Sequence, residues 1–343
     1  MTAPLLVRAC RREAVERTPV WYMRQAGRCL AEYRELRERY GILEMARNPE
    51  LCARVTAMPV TRLGVDAAVL YADIMLPLDG MGVPFHIEPD VGPIVDRPVR
   101  SADDIAALRV IPAEGMTPYL FTAIGELRRS LPAEIALIGF AGAPFTLASY
   151  LIEGRPSRDL ARTKALLFGD PLLWDRLMTI LTDVLGRYLR AQVDAGVDVI
   201  QLFDTWAGAL SADDYARAVL PYSRSVLAQV SGVPRITFAT GNPELLPLLA
   251  DAPCEVVSVD WRIGLAEAWS RIGDRGIQGN LDPAVCLAPF DVVAAYARAI
   301  LADAAGRPGH VFNLGHGVLA GTEADTLARL AELVRVETAA ALV

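Results

Sequence analysis

The chain has 343 residues, a formal net charge of −7 and 53% hydrophobic residues. The acidic balance argues against a nucleic-acid binder, which needs a basic face, and charged residues of both signs, 22% in all, argue against disorder. No apolar run reaches the ~18 residues of a membrane-spanning helix, and Arg8, Arg11 and Arg12 follow Leu5 and Leu6 too closely for a secretory apolar core. The expectation is a cytoplasmic protein with no membrane partner.

The five cysteines, Cys10, Cys29, Cys52, Cys254 and Cys286, form no C-x-x-C pair. They read as small buried apolar residues, not as a disulfide framework or a zinc site. Charge is uneven along the chain. Met1 to Arg62 carries 12 Arg against 7 Glu, leaving −12 for the rest. A basic segment in an acidic protein suits a small anionic substrate.

In chain order, strands are predicted at Val20–Met23, Ala67–Tyr71, Ile135–Phe140, Val197–Phe203, Arg235–Phe238, Val256–Val259, Gly276–Gln278 and Val311–Leu314. Most are near-continuous apolar runs, as in parallel sheets covered on both faces. Helical periodicity marks Pro171–Leu189, Asp213–Val230, Pro289–Ala304 and Thr322–Val336. Ser211 with Asp214, and Thr322 with Asp325, have the spacing of helix N-caps. Eight strands alternating with helices predict one (β/α)8 TIM-type barrel, in some degree distorted, over residues 1–343. A doubly wound open sheet is the alternative.

In such a barrel the active site lies where strands end. The residues that follow the predicted strands are Arg24 and Arg28, Asp73, the Gly142–Thr146 turn, Asp204 and Thr205, Thr240, Asp260, Asn280 and His316. Several common chemistries lack their motifs. There is no P-loop, no dinucleotide-binding glycine pattern after the first strand, no H-E-x-x-H and no G-x-S-x-G. The three histidines, His86, His310 and His316, are scattered, and the single lysine, Lys164, sits in a helical stretch away from any strand end. Catalysis would rest on Arg, Asp, Tyr, Thr and one His.

Two long segments carry a resemblance. Trp21–Arg37 reads WYMRQAGRCLAEYRELR, and Phe140–Gly154 reads FAGAPFTLASYLIEG. Shorter matches follow in order: YADIM from Tyr71, QLFDTWAG from Gln201, VDW from Val259, QGNLDP from Gln278 and NLGHG from Asn313. In these the chain resembles the uroporphyrinogen decarboxylase family from about Thr18 to the last helix. It departs at Cys29, where the family usually has an aromatic, and at Ala31 and Ala320, which replace common prolines. Asn242 and Pro243 occupy a loop usually richer in glycine.

Taken alone, most of the candidate residues have plain explanations. Arg24 and Arg28, four apart, would share a helix face and pair with Glu32 or Glu35. Asp73 would cap a turn, Tyr150 would pack in an amphipathic helix, and Thr205 would cap a helix. His316, between glycines, is a site residue on its own merits. The resemblance implies more. Arg24 and Arg28, with Arg37 beside them, would clamp carboxylates through the guanidinium fork. The stretch Gln25, Ala26 and Gly27 would lie against the substrate. Asp73 would face the pyrrole N–H groups, and Tyr150, Thr205 and His316 would contact the macrocycle.

The implied reaction removes the four acetate carboxyl groups of uroporphyrinogen III as CO2 to give coproporphyrinogen III, with no cofactor and no metal. A pyrrole protonated on carbon is its own electron sink, and Asp73 would stabilise the cation. Arg24 is a poor acid, which leaves Tyr150, His316 or water as proton donor. The family also implies a homodimer. Two rivals remain on the same barrel: a non-catalytic tetrapyrrole-binding protein, and a corrinoid- or methyltransferase-type relative. The latter needs a Cys/His zinc site.

Overall fold

The computed structural model describes residues 2–27 and 29–339. The longest strands are buried along their whole length, Ala136–Gly142 and Val199–Asp204. Both faces are covered, so the sequence need not alternate. In chain order the strands are β1 (Ala67–Val69), β2 (Phe85–Glu88), β3 (Gly92–Val95), β4 (Ala136–Gly142), β5 (Val199–Asp204), β6 (Arg235–Ala239), β7 (Val256–Ser258), β8 (Gly276–Gln278) and β9 (His310–Val311). Seven pair in parallel in the order β1-β4-β5-β6-β7-β8-β9, while β2 and β3 form a separate antiparallel hairpin.

The eighth position belongs to the predicted strand at Val20–Met23, which is present only as a bridge. Trp21 donates its N–H to Phe312 O at 3.3 Å, and Phe312 donates to Pro19 O at 2.9 Å. On the other side Asp66 donates to Val20 O at 2.8 Å, just ahead of β1. The segment thus joins β9 to β1 and closes the barrel. Outside, the last helix, Ala324–Thr338, packs against both Phe290–Ala304 and Pro49–Leu63, so the helical layer also returns to its start. The result is a distorted (β/α)8 barrel.

Closure depends on Asp66. Its Oδ2 accepts from Val20 N at 2.8 Å and Arg17 Nη1 at 2.7 Å, and its Oδ1 accepts from Arg17 Nη2 at 2.5 Å. Asp66→Asn keeps the shape but loses the bidentate charge-assisted pair. It is expected to cost about 2 kcal/mol of stability in denaturant unfolding. An unchanged midpoint would show that the bridge segment closes the barrel without this clamp.

Inside the barrel, Trp21 Nε1 donates to Gln278 Oε1 at 2.9 Å. Gln278 Nε2 donates in turn to Ser258 Oγ at 2.9 Å and Gln201 Oε1 at 3.2 Å. Four wall positions are tied by one buried polar network, in which Gln201 Nε2 has no partner among the described residues.

Three expectations need correction. The helix predicted over Asp213–Val230 is two, Ala212–Ala218 and Leu220–Ala228. Pro221 lacks an N–H to continue the first helix and restricts the residue before it. Thr322 is not a cap. The helix starts at Ala324 after Glu323, with Thr322 buried in the turn that Gly321 makes at φ +88°. Arg24 is not helical, because the helix that follows begins only at Ala31. The cap at Ser211 is as expected, its side chain accepting from Asp214 N.

Candidate active site

The turn after the closing segment is shaped by Gln25. Its Oε1 accepts from Tyr22 N at 3.0 Å and its Nε2 donates to Ala67 O at 2.8 Å. The side chain is fully buried. Gln25 therefore binds the loop to β1, and its backbone is engaged as well, the N–H donating to Tyr22 O at 3.0 Å. Arg24 is pushed outward in the left-handed region, at φ +61°. A non-glycine residue held there is costly, and such positions cluster at functional sites. Gly27 is needed close by, since a Cβ there would sit 2.8 Å from Arg24 O. Ala26 and Gly27 line the turn half-buried. Arg28 lies outside the described residues.

Asp73 stands four residues beyond β1, before the short helix Leu76–Gly80. Its Oδ1 accepts from Met75 N at 2.9 Å. Burial raises the carboxyl pKa above the usual range, against the pull of that hydrogen bond and of Arg24. Tyr150 projects from Pro144–Glu153, the helix after β4. Its ring meets Trp206 edge-on with centroids 5.8 Å apart. Burial and the charge of Asp73 raise its pKa, so it stays a phenol.

Trp206 is positioned by Thr146, whose hydroxyl accepts from Trp206 N at 3.3 Å and donates to Asp204 Oδ1 at 2.8 Å. Thr205, half-buried at the end of β5, caps no helix. The reading of it as a structural cap is thereby removed. Arg37, on the helix Ala31–Arg39, makes no hydrogen bond to these groups and donates to Tyr40 O at 2.5 Å. Burial and the neighbouring Tyr33, whose hydroxyl lies 3.1 Å from that of Tyr71, raise the Tyr71 pKa, and the charge of Arg37 only opposes that rise.

His316 approaches from the loop after β9. Its ring lies 6.1 Å from that of Phe238, centroid to centroid. Burial, helped by the charges of Arg24 and Arg262, pushes its pKa down to about 4, against Asp260. It is neutral at pH 7, so the imidazolium acid that the sequence allowed is not its resting form. Gly317 carries the side chain of Arg24 across it, because a Cβ there would lie 2.5 Å from Arg24 Cδ. Asp73, Arg24, Tyr150 and His316 thus come together: the charge of Arg24 acts on all three others.

Sequence reasoning missed the floor of this mouth. Phe140, Phe203 and Phe238, from three adjacent strands, meet edge to face at 5.5 and 5.9 Å. An apolar floor under a ring of ionisable groups suits a flat, carboxylate-rimmed ligand. Each aromatic looked like strand core, and only the cross-strand register shows that they share one end of the barrel. Asp260 was noted in the sequence, but its partner Arg262 was not. Among the described residues no three His, Cys, Asp or Glu side chains are grouped to hold a metal.

The family model for uroporphyrinogen decarboxylase matches residues 1–336. The chain belongs to the uroporphyrinogen decarboxylase family. It is 52% identical over 335 residues to a uroporphyrinogen decarboxylase of Streptomyces coelicolor, covering 97% of this chain and 94% of that protein. It is 50% identical to one of Sorangium cellulosum, covering 96% and 95%. Among solved structures, a methyltransferase from Methanosarcina mazei superposes with a TM-score of 0.80 at 22% identity, covering 98% of this chain and 99% of that one. A B12-independent methionine synthase from Shewanella follows at 0.59 and 12%, covering 86% and 89%. At these identities the likeness is one of barrel fold.

Proposed function

We propose that this chain, acting as one domain, is a uroporphyrinogen decarboxylase. It is a carboxy-lyase of porphyrin and haem biosynthesis that converts uroporphyrinogen III to coproporphyrinogen III without a cofactor. The observation that carries this reading, beside the family, is the Asp73 carboxylate, its pKa raised by burial, within the charge field shared with Arg24 and Tyr150, with His316 against the aromatic cluster at Phe238.

Each acetate arm loses its carboxylate as CO2 and keeps the electron pair of the broken C–C bond. A pyrrole protonated on carbon accepts that pair. The exocyclic methylene so formed then takes a proton to become methyl, and the ring carbon returns its own. The net change per arm is one proton consumed and one CO2 released. Asp73 supports the cationic stage. In a dry site its charge acts at a low effective dielectric and needs no reorganisation. Arg24, with Arg28 and Arg37, holds the remaining carboxylates and presents each arm in turn. Tyr150 and the neutral His316 donate or accept hydrogen bonds at the macrocycle edge, and Thr205 adds a hydroxyl.

His316 makes no hydrogen bond to a described residue, and its ring only packs near Phe238. His316→Asn is therefore expected to lower kcat/KM by ~10-fold, the scale of one lost hydrogen bond to a charged substrate, while Tm stays put. A fall in Tm with kinetics intact would mark His316 as structural.

Two finer expectations go with this reading. One is a homodimer, tested by sedimentation equilibrium. The other is residence in the cytoplasm, tested by cell fractionation; among the described residues no helix is long and apolar enough to cross a membrane. The deciding experiment incubates chelator-treated protein anaerobically with uroporphyrinogen III, then separates the oxidised products by carboxylate number. Successive seven-, six-, five- and four-carboxylate products are expected. Tight binding without product would leave a tetrapyrrole-binding protein instead.

A further inference from the structure

Arg262, next to the site, has no part in the mechanism above. It stands four residues beyond β7 and is tied in place before any ligand arrives. Its Nη1 donates to Asp260 Oδ2 at 2.7 Å, and its backbone N donates to Asp260 Oδ1 at 2.9 Å. Its guanidinium carbon lies 4.3 Å above the Trp261 ring centre. Asp260, itself buried, also accepts from Gly241 N at 2.7 Å, so the loop after β6 anchors the same carboxylate. An arginine fixed in this way loses little conformational entropy when it binds.

The arm borders His316. Arg262 and Arg24 both depress the pKa of that histidine, and Asp260 opposes them. The glycines on each side of His316 explain how both arginines come near. A Cβ on Gly315 would lie 2.6 Å from Trp261 N, and one on Gly317 would lie 2.5 Å from Arg24 Cδ. His316 is thus bracketed by two guanidinium-bearing segments.

The plain alternative is that Arg262 only neutralises the buried Asp260. Neutralisation accounts for the ion pair, but not for the stacking on Trp261. The pair is also lopsided: the Asp260 side chain is 5% exposed and that of Arg262 45%. Arg262 engages Asp260 through Nη1 and makes no other side-chain hydrogen bond to a described residue, so an edge of its fork faces solvent beside the mouth.

We infer that Arg262 binds a carboxylate of the tetrapyrrole, with Asp260 and Trp261 as its positioning residues. Arg24 and Arg262 then grip substrate carboxylates on the two sides of His316. The inference rests on the decarboxylase reading for its substrate, a ring carrying eight carboxylates.

The test uses two variants, because Arg262→Gln alone would strand the Asp260 charge in the interior. Arg262→Lys keeps the charge, and Asp260→Asn with Arg262→Gln removes both partners. The probe is oxidised uroporphyrin, titrated by quenching of tryptophan fluorescence. Kinetics with uroporphyrinogen III and Tm are recorded in parallel. The double variant is expected to bind ~10-fold or more weakly and to raise KM by a similar factor, the scale of one charge-assisted hydrogen bond. Its kcat and Tm should stay near wild type, and Arg262→Lys should recover part of the loss. Unchanged binding and KM in the double variant would overturn the inference, as would a weakening matched by a fall in Tm. Absence of turnover by the wild-type protein would instead refute the decarboxylase reading, and the porphyrin titration would still judge Arg262.

Discussion

Asp73→Asn is expected to lower kcat with uroporphyrinogen III by ~100-fold or more, the scale of removing one preorganised electrostatic partner, while the fold is kept. The substitution is nearly isosteric, and an amide oxygen can still accept from Met75 N as Asp73 Oδ1 does at 2.9 Å. What is lost is the negative charge at the place where positive charge develops. Stability should not suffer, because burial already penalises the charged form of Asp73 and raises its pKa. The same shift has a kinetic sign. A carboxylate with a raised pKa takes up its proton at higher pH than an ordinary aspartate. Activity that needs the anion therefore fails on acidification before an ordinary carboxylate would titrate. Arg24 opposes the shift, so Arg24→Gln should carry that acid limb to still higher pH. Near-normal turnover in Asp73→Asn would end the assigned role. A normal rate with a displaced pH optimum would place the charge requirement on a neighbour.

Much of this architecture could be read from the chain because parallel barrel strands are buried on both faces. ALIGFAG and VIQLFD announce themselves as apolar runs, and the predicted strands overlap β4 and β5. The closing segment was legible as apolar sequence but not as bridge-type pairing, because that depends on Asp66, more than forty residues away. The hairpin β2–β3 was missed. Its strands are short and carry Pro93 inside, and only the Pro89-Asp90-Val91-Gly92 turn, with Asp90 at φ +60° and Gly92 at +112°, could have marked it. In the site, Asp73 and His316 were found because they follow strands, where any barrel puts its chemistry. The spacing of Arg24 and Arg28 misled, since a spacing of four suggests a helix only if nothing local breaks it. Here the buried Gln25 side chain holds the backbone in a turn. Arg262 could not be read at all. Its orientation depends on Asp260, the indole of Trp261 and a glycine at position 315, and only the fold brings the last of these beside the other two.

Asp204→Asn is expected to stabilise the protein relative to wild type as pH rises, by about 4 kcal/mol between pH 4 and pH 8. Asp204 ends β5 and is 2% exposed. Thr146 satisfies its Oδ1 at 2.8 Å, but Oδ2 is buried with no partner among the described residues. Burial lifts the carboxyl pKa from 3.8 to about 7, and the bond from Thr146 only partly offsets it. Between those values the folded state holds a proton that the unfolded chain has released. Wild-type stability therefore falls as pH climbs through that window, and the loss is complete above pH 7. Asn has no charge to bury and can still accept from Thr146, so the variant lacks this slope. Its unpaired amide costs a roughly constant amount, ~1–3 kcal/mol, at every pH. The readout is thus the change in the difference, from urea unfolding at several pH values. The histidines and other carboxylates titrate in both proteins and cancel. A constant offset would show that Asp204 ionises as an ordinary carboxylate does. The expected slope would show that the strand end holding Thr205 and Trp206 at the mouth carries a carboxylate the folded state disfavours above neutrality, a cost that site-forming residues commonly impose on stability.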